Sequence, residues 1–111
     1  MSSYNGIAVY EILPDGCLNG VHTNDHTKTK NKIFNEIARK KDVHKTDTIE
    51  GLYTCCYIDL LSEPFICDLE IKNNSDQYEF IWSDLKTKKI KFKGKGWLTR
   101  ENQLTVWWWD I

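Results

Sequence analysis

The chain has 111 residues, of which 41% are hydrophobic and 13% aromatic. That is enough for one domain, residues 1–111, with a hydrophobic core that needs no disulfide or metal, and it excludes a disordered chain. No run of residues approaches the ~18 apolar positions of a membrane span. The first residues also lack the basic and apolar regions of a secretory signal. We therefore expect a soluble, cytoplasmic protein.

The net charge of −1 is unevenly distributed along the chain. Residues 47–84 carry nine acidic side chains and one basic side chain, a local balance of −8. Residues 1–46 have a balance of +2, and residues 85–111 have one of +5. A chain segregated in this way can present one acidic and one basic surface, and each is a candidate partner site.

The N-terminal part of the sequence predicts a β-hairpin. Residues 6–13 are rich in β-forming side chains. Pro14, Asp15 and Gly16 then fit a type I turn in which glycine takes the left-handed position. Residues 17–23 are expected to return antiparallel to the first strand.

Residues 31–41 form the segment with helical spacing. Its apolar side chains follow the i, i+1, i+4, i+5 pattern of one helical face: Ile33, Phe34, Ile37 and Ala38. Lysine, arginine and glutamate side chains fall between them, as on the wet face of an amphipathic helix. The pattern predicts one short helix here.

From Gly51 onward the sequence is typical of a meander of strands, because large apolar side chains recur at every second position. The predicted strands are residues 52–61, 64–72, 77–83, 88–93, 97–99 and 103–109, with a kink at Gly94 and Gly96. With the hairpin they give seven to eight antiparallel strands in a mainly β fold. Such even spacing predicts a small closed or nearly closed barrel, since closure removes exposed edges. Its first strand should pair with residues 104–108.

The triplet Gly51, Leu52, Tyr53 resembles the start of calycin-type barrels, the lipocalin and avidin group, in which an aromatic side chain plugs the closed end. The resemblance implies about eight meandering strands with a ligand in the barrel mouth. Because the triplet stands mid-chain after a hairpin, it also implies a circularly permuted strand order.

Two interpretations follow for a non-catalytic binding protein. In the first, a small apolar or aromatic ligand lies inside the barrel. The aromatic side chains predicted to line this interior are Tyr53, Tyr57, Phe65, Tyr78, Phe80 and Trp82. Side chains of this size can also fill a small barrel completely, so the sequence leaves both a cavity and a packed core open.

In the second interpretation the chain is a cytoplasmic interaction module. Its acidic face would engage a basic protein, as an inhibitor or immunity protein engages a basic nuclease toxin. Exposed indoles on the last strand often mark such a contact. The predicted partner-binding residues are Asp68, Glu70, Glu79, Trp107 and Trp109. Alternatively, the short helix or the N-terminal hairpin covers the two indoles.

A third interpretation is single-stranded nucleic-acid binding, because residues 86–95 are rich in lysine and lie near aromatic side chains. Alternation, however, places Phe92 in the core and the lysines on the opposite, wet face of the strand. That separation argues against nucleic acid as the partner.

The sequence contains no catalytic or metal-binding motif. His22 and His26 fall where a strand runs into a polar loop, so we expect solvated side chains and not metal ligands. The four cysteines are expected as reduced thiols, with Cys55 and Cys67 able to face each other across a hairpin. We expect no enzymatic activity, no metal and no cofactor.

Overall fold

The computed structural model describes residues 4–26, 32–45, 47–58 and 65–111. These residues form eight antiparallel strands that close into a barrel in meander order, so each strand pairs with the next and the last pairs with the first. The strands are β1 (Asn5–Ile12), β2 (Leu18–Asn24), β3 (Phe34–Lys40), β4 (Gly51–Ile58), β5 (Phe65–Asn74), β6 (Gln77–Asp84), β7 (Ile90–Arg100) and β8 (Gln103–Asp110). The predicted antiparallel barrel is confirmed. The turn predicted between the fourth and fifth strands lies outside the described residues.

Pairing between β1 and β8 closes the barrel, as the sequence predicts. Asn5 lies opposite Trp109, and the antiparallel register continues along both strands. The backbone N–H of Tyr4 donates to Asp110 Oδ1 at 2.7 Å, so the two ends of the described chain lie together. Closure leaves neither terminal strand with an exposed edge.

The first hairpin also matches its prediction. Gly16 has a φ of 84°, in the left-handed region that glycine adopts without steric cost. Asp15 Oδ1 accepts a hydrogen bond from the backbone N–H of Cys17 at 3.0 Å, which fixes the turn. β1 and β2 then pair antiparallel along their lengths.

The predicted helix at residues 31–41 is wrong, because residues 34–40 form strand β3; residue 31 lies outside the described part. Burial alternates strictly along β3, and its inward row includes Glu36 and Lys40. The outer face of β3 carries Ile37, which is 53% exposed. Because two charged side chains point inward and an apolar one points outward, the sequence of β3 does not show the alternation of polar and apolar residues that is typical of a strand. None of the described residues belongs to a helix that could cross a membrane.

The predicted kink at Gly94 and Gly96 is also wrong. Both glycines are buried within the continuous strand β7, so two predicted strands are one. A Cβ added to Gly96 would lie 2.7 Å from Cε1 of Phe80, and one added to Gly94 would lie 3.2 Å from Cζ3 of Trp82. The glycines therefore admit neighbouring aromatic rings into the interior and do not break the strand.

The two ends of the barrel are filled differently. The closed end is the one with the turns β1–β2, β3–β4, β5–β6 and β7–β8, and the open end is the opposite one, next to Tyr4. Large apolar side chains pack the closed end with essentially no exposure: Leu18, Tyr53, Ile71, Phe80 and Leu104. The open end contains a cavity.

Candidate ligand-binding cavity

A cavity of about 270 Å³ occupies the open end of the barrel. Eight of its lining residues have aromatic side chains: Tyr4, Tyr10, Phe34, Tyr57, Phe65, Trp82, Phe92 and Trp108. Their side chains come from strands all around the barrel and from the segment before β1. The wall therefore forms only when the strands close into a barrel, and no single segment of the chain supplies it.

Edge-to-face contacts hold several of these rings in place. Trp108 meets Tyr4 at 5.8 Å between ring centroids with an interplanar angle of 87°. It meets Phe92 at 5.4 Å and 86°. These are favourable aromatic geometries, which orient the rings around the cavity before any ligand enters.

Glu36 is the acidic group of the cavity. It projects inward from β3, and its side chain is only 7% exposed. The Tyr10 hydroxyl donates a hydrogen bond to Glu36 Oε2. Burial raises the pKa of Glu36, whereas hydrogen bonding by Tyr10, Cys55 and Trp82 to the carboxyl group opposes that rise in pKa. The carboxyl group is thus placed among donors that stabilise its ionised form.

His22 is the second polar group that the barrel turns into the cavity. Its Nε2 atom lies 3.9 Å from Glu36 Oε1, which is too long for a hydrogen bond. Neither ring nitrogen has a hydrogen-bond partner among the described residues. Burial lowers the pKa of His22 to about 4, so the imidazole is neutral at pH 7 and the close approach is not an ion pair. A neutral imidazole offers one donor and one acceptor.

The expectation that His22 is a solvated loop residue is therefore wrong. It lies within β2, opposite Phe34 of β3. His26, just beyond the end of β2, also lines the cavity, with its ring 4.9 Å from that of Tyr4. In the described part of the chain, no group of three or more His, Cys, Asp or Glu side chains is arranged to hold a metal.

The six predicted interior residues fall into two groups. Tyr57, Phe65 and Trp82 line the cavity. Tyr53 and Phe80 are fully buried in the packed core, and Tyr78 packs partly buried against the same core. The strand parity of all six could be read from the sequence, but the level at which each side chain lies along the barrel could not.

Tyr53, the aromatic residue of the triplet, lies fully buried at the closed end of the barrel. Its hydroxyl donates to the backbone oxygen of Ile49 at 2.5 Å at the closed end. Gly51, the first residue of the triplet, has a φ of 143° and opens β4. The strands follow one another in plain meander order, and the resemblance itself stays a prediction.

The predicted acidic partner-binding residues lie on the outer faces of β5 and β6, and the two indoles lie on β8. Asp68 is held by two lysines, with its carboxylate oxygens 2.7 Å from Lys41 Nζ and 2.8 Å from Lys88 Nζ. These ion pairs lower the pKa of Asp68. Glu70 and Glu79, on the outer faces of β5 and β6, are separated from the indoles of β8 by strand β7.

The two predicted surface indoles lie on the outer face of β8. Trp107 is 48% exposed, and its ring centroid is 4.9 Å from that of Trp109. No helix within residues 4–26, 32–45, 47–58 or 65–111 covers them, because the predicted helix is β3. The N-terminal hairpin lies beside β8 in the sheet. Lys93 and Lys95 are their cross-strand neighbours. The lysines thus share a face with tryptophans, whereas Phe92 lines the cavity as expected.

Cys55 and Cys67 face each other across β4 and β5, as the sequence allows, and both are free thiols.

Comparison of the chain with protein-family models, with characterised proteins and with solved structures yields no match. Its function has to be argued from the cavity itself.

Proposed function

We propose that this protein is a non-catalytic barrel that binds a small planar aromatic molecule in the cavity at its open end. The observation that carries the proposal is the ring-walled cavity of about 270 Å³. An apolar protein cavity of roughly 150 Å³ is large enough to hold benzene. The space in this barrel therefore suits a molecule of one or two rings.

The small and polar side chains at the open end support binding over simple packing. Ala8 lies on the cavity wall, at a position where a larger apolar residue would fill the space. The two ring nitrogens of His22, in the same region, have no hydrogen-bond partner in the part of the chain that the structure describes. A buried polar group without a partner costs about 1–3 kcal/mol, so its presence is explained if a ligand supplies the partner.

The chemistry of the wall supports binding and orientation. Aromatic rings provide stacking and edge-to-face contacts along most of the surface. A few polar groups, here Glu36 and His22, can fix the orientation of what is bound. This combination is typical of small-molecule sites in the mouths of β-barrels.

A titration monitored by tryptophan fluorescence tests the proposal, since Trp82 and Trp108 line the cavity. Indole, naphthalene and quinoline serve as probes. We expect saturable fluorescence changes and an increase in Tm with the wild-type protein. Ala8→Leu, which fills the cavity, should abolish both effects. Val21→Leu, an exposed substitution of comparable kind, should preserve them.

Two outcomes would contradict binding in the cavity. The first is that no probe of this series changes the fluorescence or the Tm of the wild-type protein. The second is that Ala8→Leu binds the probes as tightly as the wild type does, which would place binding elsewhere on the molecule.

A further inference from the structure

Glu36 brings a carboxyl group into a cavity whose walls are otherwise largely aromatic. Among the described residues, no lysine or arginine lies within ion-pair distance of it. His22 is the nearest basic group, and burial keeps it neutral. An ionised carboxylate without a charged partner is costly to bury. The described residues of the cavity therefore supply no positive charge to it.

Lys40 does not supply that charge, although β3 also turns it inward. Four residues of strand place its Cα roughly 13 Å from that of Glu36 along β3. Its ammonium donates to the backbone oxygen of Thr48, and to Thr48 Oγ1 at 3.2 Å. The amine is thus engaged at the closed end of the barrel.

The donors around Glu36 favour the ionised carboxylate and oppose the effect of burial, which raises the pKa of Glu36. The Tyr10 hydroxyl donates to Oε2, and Cys55 and Trp82 add further hydrogen bonding to the carboxyl group. Donors directed at a carboxylate stabilise its charge. A protonated carboxylic acid would instead bring a hydrogen of its own into this group of donors.

The rings around the carboxylate add to its preference for a cation. Phe34, Tyr57, Trp82 and Trp108 all line the same cavity as Glu36. The face of an aromatic ring carries partial negative charge and attracts ammonium groups, most strongly where water is excluded. A negatively charged ligand would meet repulsion from the carboxylate and the ring faces.

We infer that the cavity recognises a protonated amine carried on an aromatic or short apolar body, with Glu36 as the group that binds the ammonium. This inference rests on the proposed function, because it names the ligand class of the same cavity. The ammonium donates to the Glu36 carboxylate, and the body of the ligand stacks within the ring wall. Neutral His22 can accept a further N–H without repelling the cation.

Calorimetric titration with three probes of similar shape tests this inference. 2-Phenylethylamine is cationic, 2-phenylethanol is neutral and 3-phenylpropionate is anionic at pH 7. We expect the wild-type protein to bind the amine about tenfold or more tightly than the alcohol, as a charge-assisted hydrogen bond predicts, and to bind the anion most weakly. This comparison requires no variant.

Glu36→Gln removes the charge with little change of shape. It should weaken amine binding about tenfold while leaving the affinity for the alcohol within about twofold. Glu11→Gln, on the exposed outer face of β1, is the matched control and should change neither affinity. Near-ultraviolet circular dichroism of Glu36→Gln verifies that the barrel is intact.

The outcomes separate the two proposals. Equal affinity of the wild-type protein for amine and alcohol, with both lost in Ala8→Leu, overturns the role of Glu36 and leaves a cavity for neutral aromatic ligands. A preference for the amine that survives in Glu36→Gln overturns Glu36 as its binding group. If none of the three probes binds, and indole, naphthalene and quinoline also fail, the proposed function falls with the inference.

Discussion

The two ends of this barrel are built from the same eight strands, yet they treat buried polar groups in opposite ways. At the closed end, Lys40 is buried and its ammonium donates to Thr48, 5.6 Å from the centroid of the Tyr53 ring. At the open end, the partly buried His22 finds no hydrogen-bond partner for either ring nitrogen among the described residues. Glu36 beside it has hydrogen-bond donors, and no lysine or arginine of the described chain pairs with it.

This difference separates a structural polar group from a candidate functional one. A buried polar side chain whose hydrogen-bond partners come from the chain itself, such as Lys40, can lie in a core without a further partner. A polar side chain that finds no partner in the described part of the chain, such as His22, reduces stability unless something else supplies its partner. Strand β3 places Glu36 at the open end and Lys40 at the closed end, both pointing inward. Only their surroundings therefore distinguish the roles of these two charged side chains.

Matched truncations at the two ends should give the largest contrast. Phe80 is fully buried in the packed core, so Phe80→Ala should lower the free energy of unfolding by about 3–5 kcal/mol. Phe92 is partly buried at the cavity, so Phe92→Ala should lower it by only about 1–2 kcal/mol. Urea titrations of both variants measure the difference. Equal losses would mean that the open end is as tightly packed as the closed end.

The open end should also make stability depend on pH through His22. As pH falls below 6.5 the unfolded chain takes up a proton on His22, whereas the folded protein leaves His22 neutral until about pH 4. The unfolded state thus binds more protons in this interval, and stability falls as pH falls. The His22 contribution should amount to roughly 3 kcal/mol between pH 7 and pH 4.

A comparison with His22→Gln isolates this effect. The raised pKa of Glu36 acts in the opposite direction, because the folded protein then binds a proton before the unfolded chain does. Glu36 is present in both proteins, so the difference between the wild type and His22→Gln reports on His22. We expect the free energy of unfolding of the wild type, relative to that of His22→Gln, to decrease from pH 7 to pH 4. Parallel stability curves would contradict a neutral, buried His22.

Enlarging an alanine at each end gives a smaller contrast. Ala38 is fully buried in the core, so Ala38→Leu should overpack it and lower the free energy of unfolding by about 1–3 kcal/mol. Ala8 borders the cavity, so Ala8→Leu should leave stability within about 1 kcal/mol of the wild type while filling the ligand space. Thermal denaturation compares the two. A large loss from Ala8→Leu would show that the cavity has no room for the added atoms.

The smallest change in stability is expected on the outer face of the barrel, away from the interior of either end. Lys91 is exposed on β7, and its Nζ lies 3.7 Å from Asp84 Oδ2. Lys91→Ala should change the free energy of unfolding by less than about 1 kcal/mol, because exposed ion pairs contribute little. A chemical denaturation curve that overlays the wild type provides the baseline for the other variants. A loss as large as that of Phe92→Ala would show that the face assignment of β7 is inverted.

The sequence by itself determined the alternation of most strands and the closure of the barrel. Phe80, Trp82 and Trp108 have the inward parity that the sequence predicts, since successive side chains of a strand point to opposite faces. Pairing of β1 with β8 followed from the need to cover the edges of a meander. The first turn followed from residues with specific backbone preferences, above all Gly16.

The two errors in secondary structure offset each other in the strand count. The helix prediction failed because β3 buries Glu36 and Lys40 and exposes Ile37, which is the reverse of the usual pattern. The prediction of a strand break at Gly94 and Gly96 failed because these glycines make room for aromatic rings from a neighbouring strand. Each error arose where a contact distant in sequence decides the conformation or burial of a residue.

The candidate site was decided by the tertiary structure. Glu36 and His22 come from different strands, and nothing in the spacing of either residue reveals that both face one cavity. Whether Tyr57 lines a space and Tyr53 packs a core depends on their level along the barrel axis, which the register of all eight strands sets together. Parity is a local property of a strand and can be read from sequence. Cavities and unpaired polar groups depend on the arrangement of the closed sheet, and they become visible only once every neighbour is in place.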